Sequence, residues 1–128
     1  MSMSIRSTAA FASLTFAAAV SIASAQMPQA VKASGGVLTN TAGMTLYTFD
    51  KDSGGKSVCN AQCAALWPPL AAPADAKSDG DWSAITRDDG SKQWAYKGKP
   101  VYTWAKDSKP GDTTGDGVAN NSWHVAMP

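Results

Sequence analysis

A chain of 128 residues with a formal net charge of +1 lacks the concentrated positive charge that nucleic acid or an acidic membrane surface would call for. Its length suits one small domain. Two cysteines can make one local staple, not the disulfide framework of a scaffold without a core.

Residues 1–25 read as an address. Arg6 is the lone positive charge, residues 9–22 are rich in Ala, Phe, Leu and Val, and Ala23-Ser24-Ala25 supplies a small–x–small cleavage site. The apolar run is short for a bilayer span. The expectation is a cleaved secretory signal, with a mature chain starting at Gln26 and no transmembrane anchor after cleavage. No cysteine lies near Ala25, so the mature protein is expected to be periplasmic or secreted and not lipid-anchored.

Residues 26–34 read as a flexible N-terminal segment, and Gly35-Gly36 opens the predicted domain, residues 35–128. Val37-Leu38-Thr39 and residues 44–49 are strand candidates. Asn40-Thr41-Ala42-Gly43 between them has turn chemistry, which predicts a hairpin. Residues 50–56 hold Gly54-Gly55 and form a loop. Residues 57–67 suit one short helix: Ser57 can cap it, and Cys59, Cys63, Leu66 and Trp67 recur at helical spacing. Pro68-Pro69 ends it, and residues 70–81 form a connector.

Three further strands follow at residues 82–87, 92–96 and 100–104, separated by turn-forming residues. A long loop at residues 107–121 leads to a last strand around Trp123-His124-Val125. The predicted fold is mainly β, a single small domain of antiparallel strands.

One stretch is written twice. Leu46-Tyr47-Thr48-Phe49-Asp50-Lys51-Asp52 recurs as Val101-Tyr102-Thr103-Trp104-Ala105-Lys106-Asp107. Each copy sits in a similar setting, which divides the domain into pseudo-repeats at residues 35–70 and 82–126. They differ where the first has Cys59 and Cys63 and the second has a loop of Gly, Asp and Asn.

Both copies resemble the Tyr-x-(Phe/Trp/Tyr)-x-x-Asp motif of a family of small exported bacterial proteins, often lipoproteins, described as a secreted repeat of unknown function. The segment running from Cys59 and Cys63-Ala64 to Trp67-Pro68-Pro69-Leu70 is similar to the same family. So are Ile85-Thr86-Arg87-Asp88-Asp89-Gly90, Gln93-Trp94-Ala95-Tyr96-Lys97-Gly98 and residues 109–117. The resemblance implies export and a repeat architecture. It implies no activity.

Each candidate site has a structural reading beside the functional one. Tyr47, Phe49, Tyr102 and Trp104 are either ligand platforms or core, and aromatic strand faces are more often core. Asp52 and Asp107 then cap the turns that follow them. Cys59 and Cys63 are expected as a disulfide in an oxidising compartment; a copper or redox site using them is the alternative. Asp107, Asp112 and Asp116, with His124 nearby, form a speculative calcium or copper ligand set, although Asp-Gly pairs are ordinary turn formers. No catalytic constellation is recognisable. The expected function is a non-catalytic envelope protein that binds a partner protein or a small ligand, with no obligatory cofactor.

Overall fold

A computed structural model describes residues 27–128, so the predicted signal at residues 1–25 lies outside the described residues. In chain order the elements are β1 (Val31–Ser34), β2 (Val37–Asn40), β3 (Tyr47–Phe49), α1 (Gln62–Leu66), β4 (Trp82–Thr86), β5 (Lys92–Tyr96), β6 (Lys99–Tyr102), α2 (Val118–Asn121) and β7 (Trp123–Val125). They form two antiparallel sheets, β1-β2 and β4-β5-β6-β3-β7. No helix of the described residues is long and apolar enough to cross a membrane.

The duplicated stretch lies at the heart of the larger sheet. β3 and β6 pair antiparallel with Tyr47 opposite Tyr102 and Thr48 opposite Val101. Side chains alternate across the pleat, so each copy sends residues to both faces. Leu46 and Val101 join Val31, Leu38, Trp82, Trp94 and Ala126 in one core. Tyr47 and Tyr102 join Cys59, Trp67, Trp104 and Trp123 in the other. Leu46, Tyr47, Val101 and Tyr102 are all fully buried.

The halves exchange their last strands. The Leu38 N–H donates to the Ala126 carbonyl, and the Ala126 N–H to the Leu46 carbonyl. In the mirror arrangement the Trp94 N–H donates to the Leu70 carbonyl, and the Leu70 N–H to the Val101 carbonyl. The segment that closes each half is therefore hydrogen-bonded to the strands of the other. Neither half completes its own sheet.

Three local readings are corrected. The fold begins before Gly35, because β1 pairs with β2 along its whole length and Val31 is only 6% exposed. Gly35 and Gly36, at φ +60° and +85°, make the two-residue turn that allows this pairing. The first helix is shorter than residues 57–67, and its start at Ala61 has no side-chain cap. Ser57 instead turns inward, where Tyr102 and Arg87 take its hydroxyl. Finally, the loop before β7 is not wholly irregular: Ala119, Asn120 and Asn121 all have positive φ and form a left-handed turn. It is closed by the Asn121 N–H on the Gly117 carbonyl (3.0 Å).

Candidate functional site

The tyrosines and aspartates of the duplicated motif are bonded crosswise. Tyr47 Oη donates to Asp107 Oδ2 at 2.7 Å, and Tyr102 Oη donates to Asp52 Oδ2 at 2.6 Å. The second oxygen of each carboxylate serves its own loop. Asp52 Oδ1 accepts from the Val58 N–H (2.7 Å), and Asp107 Oδ1 accepts from the Thr114 N–H (3.0 Å). Each aspartate thus caps its own turn and clasps the opposite half. Burial pushes both phenols well above the usual tyrosine value, and the bond to the carboxylate adds to the effect, so they remain neutral donors. Burial also raises the Asp52 carboxyl, against the bonds from Tyr102 and Val58 and the charge of Arg87.

The rings pack as a single pile. Phe49 stacks on Trp123 at 4.2 Å between centroids, Trp123 on Trp67 at 3.7 Å, and Trp67 on Trp104 at 4.0 Å. Tyr47 meets Trp67 edge-on, and Tyr102 meets Trp123 in the same way. Trp67, Trp82, Trp94, Trp104 and Trp123 are all at most 8% exposed. The aromatics of the motif therefore pack on Trp67 and Trp123, the tryptophan that each half sends into the pile. Gly115 closes the pile from one side. A Cβ there would come within 2.8 Å of Trp67 and 3.0 Å of Trp104, so a larger residue would force the rings apart.

Arg87, at the tip of the β4-β5 hairpin, is 5% exposed. Its guanidinium donates to Ser57 Oγ (2.9 Å), Gln93 Oε1 (2.7 Å) and the Cys59 carbonyl. Ser57 in turn meets Tyr102 Oη at 2.6 Å. This Asp52–Tyr102–Ser57–Arg87 chain has the groups of a hydrolytic site, but Ser57 is 1% exposed and out of a substrate's reach. Its work is to satisfy a buried charge and pin the loop beneath it.

Cys59 and Cys63 are joined as a disulfide, with Cα atoms 5.1 Å apart. A thiolate copper site would need that bond reduced first. Nor does the structure gather the speculative metal ligands into a set. Asp107 is held by Tyr47 and Thr114, and Asp112 accepts from the Ser108 and Lys109 N–H groups at 2.9 and 3.1 Å. Asp116 accepts from the Val125 N–H, while His124 Nε2 faces Asp50 Oδ2 at 2.9 Å. Among the described residues no group of three or more His, Cys, Asp or Glu side chains is placed to hold a metal ion. The Ser108 and Lys109 donors hold the Asp112 carboxyl below its ordinary value, the Ser108 N–H most of all.

The Asp50–His124 pair lines an open groove of about 260 Å³. Thr48 and Asp50 come from β3 and its end, and His124 and Val125 from β7. Ala126 and Met127 continue the wall, and Tyr96, Lys97 and Lys99 from the β5-β6 turn face them. Among these residues is His124, which the sequence offered as a metal ligand. The signal that could have found the rest lies in the mismatch between copies: Asp50 stands where the second copy has Ala105. His124 follows Trp123 where Pro68 follows Trp67. The groove's charged groups come from both halves, and Asp50 and His124 have no counterpart at the equivalent positions of the other copy.

A family model described as a secreted repeat of unknown function matches the chain twice, over residues 29–71 and 83–127. These stretches correspond to the two interlocked halves. No curated protein and no solved structure matches the chain. With both halves matched and each carrying the aromatic motif, the chain belongs to the family of secreted repeats of unknown function.

Proposed function

We propose that the protein is an exported, non-catalytic binding module of the cell envelope, and that its ligand seat is the groove around Asp50 and His124. One observation carries this reading. The tyrosines of both copies are enclosed in the core and the clasp, whereas the groove collects accessible polar groups on a sheet buried on both faces at its centre. A rigid frame with a polar opening suits recognition. The enclosure of Ser57 speaks against hydrolysis at that serine.

The test is a spectrum of isotope-labelled mature protein mixed with fractions of periplasmic extract. Amide shifts at residues 96–99 and 124–127 are expected from a fraction that binds. Shifts confined to the α1 surface would move the binding site to the disulfide side. New product signals growing with time would overturn the non-catalytic reading.

A further inference from the structure

We infer that the groove takes a small hydroxylated anion, of the size and chemistry of a single sugar acid or sugar phosphate. The inference rests on the binding reading above and adds the ligand class. At about 260 Å³ the cavity is below the roughly 300–1,000 Å³ of sites for drug-sized molecules, which leaves room for one ring. Lys97 and Lys99 set two ammonium groups on its rim against the single carboxylate of Asp50. That carboxylate is already shared with His124 at 2.9 Å. Neither lysine has a carboxylate partner among the described residues, where the ion pairs are Lys56–Asp88 and His124–Asp50.

The turn itself points the same way. Lys97 has φ +50°, a left-handed conformation that lysine rarely adopts and that asparagine or glycine adopts readily. A lysine gives the turn nothing that asparagine would not give better. Its ammonium lies 5.3 Å from the centre of the Tyr96 ring, beside the cavity. Residues that break a local rule are candidates for function.

The other walls fit the rest of such a ligand. Tyr96 lines the cavity and brings aromatic surface to a sugar's C–H groups, and Val125, Ala126 and Met127 give an apolar flank. Thr48 and the Asp50–His124 pair supply acceptors and donors for hydroxyl groups. The equivalent position on the other side of the duplicated fold offers no second copy of this chemistry, because Ala105 and Pro68 replace Asp50 and His124. One site is expected per chain, despite the duplicated fold.

The experiment titrates labelled mature protein with glucuronate, glucose 6-phosphate and glucose in parallel. Saturable amide shifts at residues 97–99 and 124–127 are expected with the acids and not with glucose; the stronger of the two acids tells carboxylate from phosphate. Lys97→Asn should weaken binding about tenfold or more, the effect of losing one charge-assisted bond, with no drop in melting temperature. No saturable shift with either acid, equal binding of glucose, or unchanged affinity in Lys97→Asn would each overturn the inference. If envelope extract shifts the groove amides while both acids fail, the anion falls and the binding reading stands.

Discussion

The two halves share a frame and differ at its ends. In both, a tyrosine crosses to the other half's aspartate, a tryptophan enters the central pile, and the closing segment joins the opposite sheet. Beyond that frame they part. The first half carries the disulfide and α1, held down by Arg87 from a hairpin that extends further than the one between β1 and β2. The second half carries a left-handed turn and Gly115 in the corresponding place. Cys59 and Gly115 stand the same number of residues before Trp67 and Trp123, and both face the aromatic core. What must match between the halves is the interlock; what is free to differ is the surface around it. This is why the motif residues are poor candidates for a ligand site and the mismatched positions are better ones.

The strongest way to break this comparison is through the pile. Trp67→Ala and Trp123→Ala each remove a ring stacked on both faces, and each should cost about 3–5 kcal/mol in urea unfolding. If the halves are equivalent in packing, the two costs agree within about 1 kcal/mol, the scale of context dependence for a matched pair. The double variant should lose less than the sum, because the rings touch each other at 3.7 Å. Strongly unequal costs would mean that one half is the scaffold and the other an attachment.

A smaller and sharper effect is expected from the clasp. The cycle combining Tyr47→Phe with Asp107→Asn should show a coupling of about 1–2 kcal/mol, because that bond crosses between halves and is buried. The cycle combining Tyr47→Phe with Asp52→Asn, both in one copy of the motif, should show less than about 0.5 kcal/mol, since they share no hydrogen bond. Coupling within a copy instead of across copies would reverse the picture of an interlocked duplication. The crosswise bonds also give the motif a reason to occur in pairs: each copy's tyrosine is satisfied only when another copy supplies its aspartate.

Several of these features were legible in the chain and others were not, for a physical reason. The strands at residues 82–86 and 92–96 declare themselves by alternation around a Gly-containing turn, and Asp52 and Asp107 as turn caps bond groups a few residues away. Such signals are local. β1 was not legible, because Val31-Lys32-Ala33-Ser34 holds one large apolar residue, and it is the seat of Val31 in the core that makes it a strand. Ser57 gives the same local signal whether it caps a helix or turns inward to Arg87. Nothing near Leu70 or Ala126 announces that they trade places, since their partners lie in the other half. The groove's residues come from separate strands and turns. Only the differences at Asp50 and Ala105, or His124 and Pro68, mark them in advance.

The subtlest contrast separates the aspartate in the clasp from one in a surface loop, and pH reads it. The Asp52 carboxyl is raised above its ordinary value of 3.8, chiefly by burial. Just above pH 3.8 the native state therefore keeps a proton that the unfolded chain has released. Stability then falls as pH rises through that window and is level beyond it. Asp112, held below 3.8 by the Ser108 and Lys109 donors, does the reverse: its contribution is full above pH 3.8 and is lost as pH falls below it. Asparagine at either position removes that residue's own slope and leaves the rest of the curve unchanged. Measured against the parent protein by urea unfolding from pH 3 to pH 7, Asp52→Asn should gain relative stability as pH rises, and Asp112→Asn should lose it. Parallel curves for the two variants would show that the clasp aspartate carries no burial cost, and that its bonds to Tyr102 and Val58 outweigh the loss of water.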